Sequence, residues 1–178
     1  KTYTILQVLA TQAIKEPSTR ITVVGQDVPN LKRGALNDFN TIRANTEGFD
    51  DLGEWNATDK KYRFNNGSWI EFVSYDNWQD AKNGKRDYLF ANEANGIQLE
   101  IIQQLMMRTS IQCFYDWNPS HDFWGDELLL TGKWGDVTRI HSTYKNNPYV
   151  SPEVVKQIEQ YRETDPYMWQ VYGLGLKG

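Results

Sequence analysis

The residues most suited to catalysis follow a short apolar run, Tyr88 to Ala91, which ends abruptly in Asn92-Glu93. Such a run bounded by polar residues is typical of a buried strand in a parallel sheet. Ligands of open α/β sheets bind at the carboxyl ends of the strands, where a carboxylate can orient or deprotonate an attacking water. Glu93 is therefore a candidate catalytic base. The alternative is a capping role in the first turn of the following helix, which the helix dipole would favour.

A second candidate pair stands at the start of the sequence. Lys1-Thr2 are the last two letters of the phosphate-binding pattern G-x-x-x-x-G-K-[ST], in which the lysine meets the β- and γ-phosphates and the hydroxyl binds Mg²⁺. Apolar residues recur at helical spacing over residues 3–15, so the pair is predicted to open a helix whose N-terminus attracts phosphate. The alternative is an ordinary helix start. The glycines of the pattern are not in the sequence, so the chain is expected to begin in mid-motif.

Two asparagines occupy positions where a nucleotide site would need polar side chains. Asn92 stands where the Walker B residue is usually Asp; its amide can hydrogen-bond a metal-bound water, but it carries no negative charge. Asn118 ends the strand predicted over residues 111–117 and could sense the γ-phosphate or the attacking water. The alternative for the Asn118-Pro119 pair is a turn, which this dipeptide also favours.

Basic residues precede the strand that carries Glu93. Any of Lys82, Lys85 and Arg86 could act as an arginine-finger-type group. Such a group reaches a phosphate bound to its own subunit or to a neighbouring one. The alternative for each is a solvated basic loop.

These residues need a sheet to position them, and the sequence predicts one. Strands are predicted at 20–25, 88–91, 111–117 and 137–142, and helices at 3–15, 31–44, 96–108, 126–130, 151–162 and 166–172. Residues 61–64 and 68–73 flank an Asn-Gly turn signal and predict a hairpin, whereas 45–60 are predicted as a loop or short irregular element. The expected fold is α/β, a P-loop NTPase-type mainly parallel sheet flanked by helices, with the β-hairpin inserted at one edge.

Composition narrows the class of protein. With 178 residues the chain is long enough for one sizeable domain, and we predict a single domain over 1–178. A net charge of −4 excludes a globally basic nucleic-acid coat. The lone cysteine, Cys113, excludes an intrachain disulfide and a cysteine-rich zinc site and fits a reducing cytoplasm. No stretch approaches the roughly 18 apolar residues of a membrane helix.

The order of several short motifs resembles one protein family over nearly the whole chain, and the set is specific in combination although each motif alone is weak. The chain resembles the ATPase domain of the large terminase subunit of tailed bacteriophages, the motor that packages DNA into procapsids. The motifs are Lys1-Thr2, the segment 88–95, Trp117-Asn118-Pro119, the segment 141–148, Asp165-Pro166-Tyr167 and the segment 172–175.

The resemblance implies roles for individual residues. Lys1 and Thr2 would end Walker A, and Asn92 and Glu93 would be Walker B and the catalytic glutamate. Asn118 would lie in the coupling motif, which links hydrolysis to movement of DNA. Arg86, or a lysine near it, would be the trans-acting finger. ATP and Mg²⁺ are the expected substrate and cofactor.

The resemblance also implies an assembly. Family members form a ring on the portal protein, receive double-stranded DNA from a small terminase subunit, and carry a C-terminal nuclease, in the cytoplasm of the bacterial host. Because the Walker A glycines and a nuclease motif are not in the sequence, we expect a fragment of such a phage or prophage protein. Two alternatives stay open: another P-loop DNA translocase or helicase-like ATPase, and a non-catalytic assembly module.

Overall fold

The computed structural model describes residues 1–178, which divide into two compact units, Lys1–Asp116 and Trp117–Gly178. The first unit contains the sheet and the second contains short helices and loops. The division falls within what the sequence predicts as one ATPase domain.

The first unit is built on a six-stranded mixed sheet with the strand order β2-β3-β4-β1-β5-β6. The strands are β1 (Arg20–Val24), β2 (Gly53–Asn56), β3 (Lys61–Phe64), β4 (Trp69–Val73), β5 (Arg86–Ala91) and β6 (Thr109–Tyr115). β4, β1, β5 and β6 run parallel, whereas β3 pairs antiparallel with both β4 and β2. This confirms the predicted mainly parallel sheet.

The predicted hairpin is confirmed, but its place in the sheet differs from the expectation. β3 and β4 pair around Gly67, whose φ of +88° is the left-handed conformation that the Asn-Gly signal predicts. β4 then pairs in parallel with β1, so the hairpin's second strand belongs to the main sheet. The sheet edge is formed instead by β2, within the segment predicted as a loop or irregular element.

Seven α-helices accompany the strands: α1 (Thr2–Lys15), α2 (Val28–Arg33), α3 (Ala35–Asn45), α4 (Leu99–Met106), α5 (Trp124–Leu128), α6 (Pro152–Thr164) and α7 (Pro166–Met168). The helix predicted at 31–44 is in fact two helices, because Gly34 interrupts it with a ψ of −104°. Single 3₁₀ turns lie at Phe49–Leu52, Asp80–Lys82, Ala94–Gly96 and Tyr144–Asn146, and a π-helical turn at Trp169–Gly173. None of the helices has both the length and the apolar character needed to span a bilayer.

The main core fills the space between α1, α3 and one face of the sheet. Leu6, Leu9, Ile21 and Ile70 are fully buried within it. Phe39 of α3 packs its ring 5.2 Å from that of Phe72. Aromatic pairs at this spacing contribute roughly 0.5–1.5 kcal/mol beyond simple burial, so this face holds α3 firmly on the strands.

The second unit has few buried apolar residues, Leu129 and Val171 among them. The strand predicted at 137–142 does not form: Val137 and Ile140 are exposed, and the segment pairs with no strand. A β-branched run without a partner strand or a surface to cover gains nothing from the extended pairing that propensity alone suggests. The helix predicted at 151–162 is confirmed as α6, capped by the Ser151 hydroxyl, which accepts from the Val154 amide at 3.3 Å.

Candidate functional site

The candidate site lies in the first unit, where the carboxyl ends of β5 and β6 meet the N-terminus of α1. Three side chains form a hydrogen-bonded triangle there. The Thr2 hydroxyl donates to Asp116 Oδ2 at 2.6 Å. The Asn92 amide nitrogen donates to Thr2 Oγ1 at 3.2 Å and to Asp116 Oδ1 at 3.1 Å. The structure therefore brings together residues that are 90 and 114 positions apart in the sequence.

Glu93 stands at the rim of this triangle in a strained backbone conformation. Its φ and ψ of 51° and 55° are left-handed, which costs a non-glycine residue about 1–2 kcal/mol. Asp116 holds the turn in place: its carboxylate accepts from the Glu93 amide at 2.7 Å, and its carbonyl accepts from the Ala94 amide at 2.8 Å. The Glu93 side chain makes no capping hydrogen bond and is exposed, so its carboxylate is available to a ligand.

Lys1 brings positive charge to the same place. α1 begins directly after it, since the Ile5 amide donates to the Lys1 carbonyl at 3.1 Å. Lys1 is exposed as a whole, but partial desolvation of its ammonium lowers the pKa of Lys1, and the negative charges of Asp116 and Glu93 act in the opposite direction. A cation beside two carboxylates at a helix N-terminus is an arrangement that can bind a phosphate together with a metal ion.

The chemistry of the side chains fits Mg²⁺. Thr2 offers a hydroxyl, Asn92 an amide, and Glu93 and Asp116 carboxylates, and these oxygen donors are the kinds that Mg²⁺ prefers. Nowhere in the chain do three or more His, Cys, Asp or Glu side chains group so as to hold a metal. A magnesium ion here would complete its coordination with waters and substrate phosphates, as is usual for this ion.

Sequence reasoning missed Asp116, which holds the triangle together. The strand was predicted to run through Trp117, and this hid Asp116 inside it. β6 ends at Tyr115, so Asp116 is the first residue after the strand and is buried, with 6% of its surface exposed. The change from an apolar run to an acidic residue was the signal that could have found it.

The structure contradicts the role predicted for Arg86. Arg86 opens β5 whereas Glu93 lies two residues beyond the end of that strand, and a separation of seven residues at strand spacing is roughly 23 Å. Its guanidinium is buried and donates to Thr22 Oγ1 at 2.9 Å and to the Leu105 carbonyl at 3.0 Å. Burial lowers the pKa of Arg86. A guanidinium fixed in this way inside its own subunit cannot act as a trans-acting finger.

The remaining predicted residues lie outside the triangle. Lys82 and Lys85 are exposed, and the Lys82 ammonium lies 4.0 Å from the centre of the Trp78 ring. Asn118 belongs to the second unit, where it is exposed and its carbonyl accepts from the Ser120 amide at 2.8 Å. That contact fits the turn that Asn118-Pro119 also predicted.

Comparisons with known proteins place this fold. Over 99% of its length the chain is similar to the large terminase of a thermophilic bacteriophage in complex with ADP, with a TM-score of 0.81 and 15% identity. The ATP-gamma-S complex of that terminase gives a TM-score of 0.78 and 16% identity over 99% of the chain. The chain spans 45% and 44% of those two structures, less than half of their length.

A third similar structure is the large terminase ATPase domain of Thermus phage P74-26. It gives a TM-score of 0.64 and 13% identity over 97% of this chain and 82% of that one. At these identities the likeness establishes the fold. No curated protein gives a significant match.

The sequence itself matches the family described as Phage terminase large subunit, over residues 1–176. The match spans both units and therefore includes the triangle, Lys1, Glu93 and the Asn118 turn. The chain thus belongs to the phage terminase large subunit family.

Proposed function

We propose that this chain is the ATP-hydrolysing motor domain of a phage or prophage large terminase, which drives double-stranded DNA into procapsids. The observation that carries the proposal is the meeting of Thr2, Asn92 and Asp116 beside Lys1 and Glu93. These residues combine a helix N-terminus, a cation, oxygen ligands and an exposed carboxylate, which are the parts that phosphoryl transfer to water requires.

In this proposal each residue has a separate task. Glu93 accepts hydrogen bonds from the attacking water and takes its proton as the water adds in line to the γ-phosphorus. Lys1 neutralises the charge of the β- and γ-phosphates. Thr2 and Asn92 would hold Mg²⁺, Asn92 through a bound water, and that ion would offset phosphate charge as the bond to the leaving ADP breaks.

The solved structures support the choice of nucleotide. The large terminase of one thermophilic bacteriophage was crystallised with ADP and with ATP-gamma-S, and the similarity covers 99% of this chain in each case. The family membership supports DNA packaging as the task to which hydrolysis is coupled.

The assembly is part of the same proposal, and the family membership supports it. The partners are double-stranded DNA, the portal protein, a small terminase subunit and further copies of the chain in a ring, in the cytoplasm of the bacterial host. Since Arg86 is buried, a trans-acting finger from the loop before β5 would be Lys82 or Lys85, which are exposed. Asn118 would couple hydrolysis to DNA movement from the turn that follows β6.

The test is ATP turnover by the full-length protein, with and without double-stranded DNA, in wild type, Glu93→Gln and Glu100→Gln. Glu100 is the matched control, because it is also an exposed glutamate but lies on α4. We expect Glu93→Gln to lose about 10²–10⁴-fold in turnover, the range of a general base, and Glu100→Gln to keep its rate. Stimulation by DNA supports a motor.

Three other outcomes would count against the proposal. Equal turnover in the two variants would overturn the assignment of Glu93. Failure of the wild type to bind nucleotide would favour a non-catalytic assembly module. Strand separation in place of packaging would favour a helicase-like ATPase.

A further inference from the structure

We propose that Asp116 supplies the negative charge that Asn92 lacks, so that in this chain the carboxylate acts on the Mg²⁺-nucleotide from the end of β6 rather than from the end of β5. Asp116 is a positioning residue in this proposal, because it acts through Thr2 and Glu93. The inference deepens the proposed function and rests on it.

The triangle has room for one carboxylate. Asn92 Nδ2 lies 3.1 Å from Asp116 Oδ1 and 3.5 Å from Asp116 Oδ2. An aspartate at position 92 would bring a second carboxylate to this distance, and two like charges so close cannot both stay ionised without a cation between them. An amide at 92 can donate to the carboxylate at 116, so the two residues are complementary as they stand.

Asp116 is built into the site. Only 6% of its surface is exposed, and it accepts hydrogen bonds from a hydroxyl, a side-chain amide and a backbone N–H. These three donors are neutral, and its charge acts on the Lys1 ammonium. A buried carboxylate is costly unless neighbouring groups compensate it, so a cation bound nearby would be attracted strongly to this position.

The hydroxyl of Thr2 is oriented by Asp116. A hydroxyl has one hydrogen to donate and two lone pairs. In the structure the hydrogen goes to Asp116, and one lone pair accepts from Asn92. One lone pair therefore remains for a metal ion, because the hydrogen points at Asp116 and not toward the metal position. Asp116 thus orients the oxygen that the proposed function assigns to Mg²⁺.

A purely structural role for Asp116 makes a different prediction. Its carbonyl and carboxylate also fix the turn at Glu93 and Ala94, and Asp116→Asn keeps the carbonyl and the side-chain shape. If only the turn matters, exchanging the charge between positions 92 and 116 brings no recovery. If the charge matters, Asn92→Asp combined with Asp116→Asn restores one carboxylate and one amide to the triangle.

The experiment measures the affinity of the full-length protein for ADP with Mg²⁺ and with excess chelator, in wild type, Asp116→Asn, Asn92→Asp and the double exchange. We expect Asp116→Asn to reduce the magnesium-dependent gain in ADP affinity by about 10–100-fold, the usual cost of removing an outer-shell partner. Affinity without magnesium should stay within about twofold of wild type, and the double exchange should recover most of the gain.

A second pair of variants keeps the test decisive if Asp116→Asn unfolds. Asp116→Glu and Asp116→Gln have side chains of the same length and differ in charge, so Asp116→Glu should keep most of the magnesium-dependent gain and Asp116→Gln should lose it. An Asp116→Asn protein with an unchanged gain, or a double exchange no better than the single variant, would overturn the inference and leave the proposed function standing. A wild type whose ADP affinity does not respond to magnesium would overturn both.

Discussion

The charged residues at the two ends of β5 differ in burial and in pairing. At the amino end, Arg86 is buried and bonded to groups of its own subunit, and the neighbouring Asp87 is paired with Arg20. At the carboxyl end, Glu93 is exposed in a left-handed conformation beside the triangle of Thr2, Asn92 and Asp116. The charged residues at the amino end stabilise the sheet, whereas the glutamate at the carboxyl end is available to a ligand.

The amino end shows how a charge becomes structural. Arg86 donates to the Thr22 hydroxyl, and Thr22 donates to Glu71 Oε1 at 2.9 Å. Glu71 in turn pairs with Lys61 at 3.3 Å. The chain of contacts crosses β5, β1, β4 and β3, so it ties four strands together. A residue in such a network is needed for folding and is not free to act on a ligand.

The largest expected effect on stability comes from Arg86. Arg86→Ala removes a buried side chain and leaves the Leu105 carbonyl without this donor, so we expect a loss of about 3 kcal/mol in the free energy of unfolding. Arg86→Met keeps most of the volume and removes a buried charge, so it should cost only about 1 kcal/mol. Chemical denaturation measures both. Lys85→Ala, at the exposed neighbouring position, should stay within about 0.5 kcal/mol.

Those values would separate the contribution of the Arg86 side-chain volume to stability from that of its charge. Equal and small losses in Arg86→Ala and Lys85→Ala would contradict the structural role of Arg86, because it would then contribute no more to the fold than its exposed neighbour.

The next effect concerns Asp87 and depends on pH. Its carboxylate accepts from Arg20 Nη2 at 3.0 Å and from the Arg20 backbone amide at 2.8 Å, and these contacts hold the pKa of Asp87 below its usual range. A lowered pKa in the folded state stabilises the protein above the unfolded value of about 3.9, and that stability is lost as the pH falls through the folded value.

We therefore expect Asp87→Asn to cost about 2 kcal/mol near pH 7 and progressively less below about pH 4, where the wild type loses the same interaction. Unfolding measured from pH 7 down to pH 2.5 gives the two curves. Asp50→Asn is the control, since Asp50 pairs with Arg43 but its side chain is 73% exposed; that change should be small at every pH. Parallel curves for wild type and Asp87→Asn would contradict the assignment.

The smallest expected effect is a gain in stability at the carboxyl end. Glu93→Gly relieves a left-handed conformation and should raise the free energy of unfolding by about 0.5–1 kcal/mol while turnover is lost. Lys60 is the control, because its φ is also positive, at +49°, and it does not belong to the triangle. Lys60→Gly should gain similar stability without losing turnover. A less stable Glu93→Gly protein would show that the conformation at Glu93 is not strained.

The sequence was a good guide where apolar residues form a clear pattern and a poor one elsewhere. Apolar residues at helical spacing predicted α1 and α4 within a few residues, and short apolar runs predicted β1 and β5, most of whose residues are buried. The edge strand β2 was missed because it is four residues long and alternates only between half-buried and exposed positions. The second unit buries few apolar side chains, so its predicted strand had no surface to cover.

The site divides in the same way. Glu93 and Asn92 could be predicted because they directly follow a strand that the sequence reveals. Asp116 could not, because its importance comes from contacts with residues far away in the chain. Arg86 was misassigned for the same reason: its partners Thr22 and Leu105 lie 64 and 19 positions away, and no local pattern marks an arginine as buried.

The most direct test of this account measures turnover and stability together, on Glu93→Gln and Arg86→Ala versions of the full-length protein. We predict that Glu93→Gln loses about 10²–10⁴-fold in ATP turnover and keeps its free energy of unfolding within about 0.5 kcal/mol. Arg86→Ala should lose about 3 kcal/mol of stability and, while it remains folded, hydrolyse ATP at a rate close to the wild type. A Glu93→Gln protein with undiminished turnover would contradict the claim that the carboxyl end of β5 is the catalytic site.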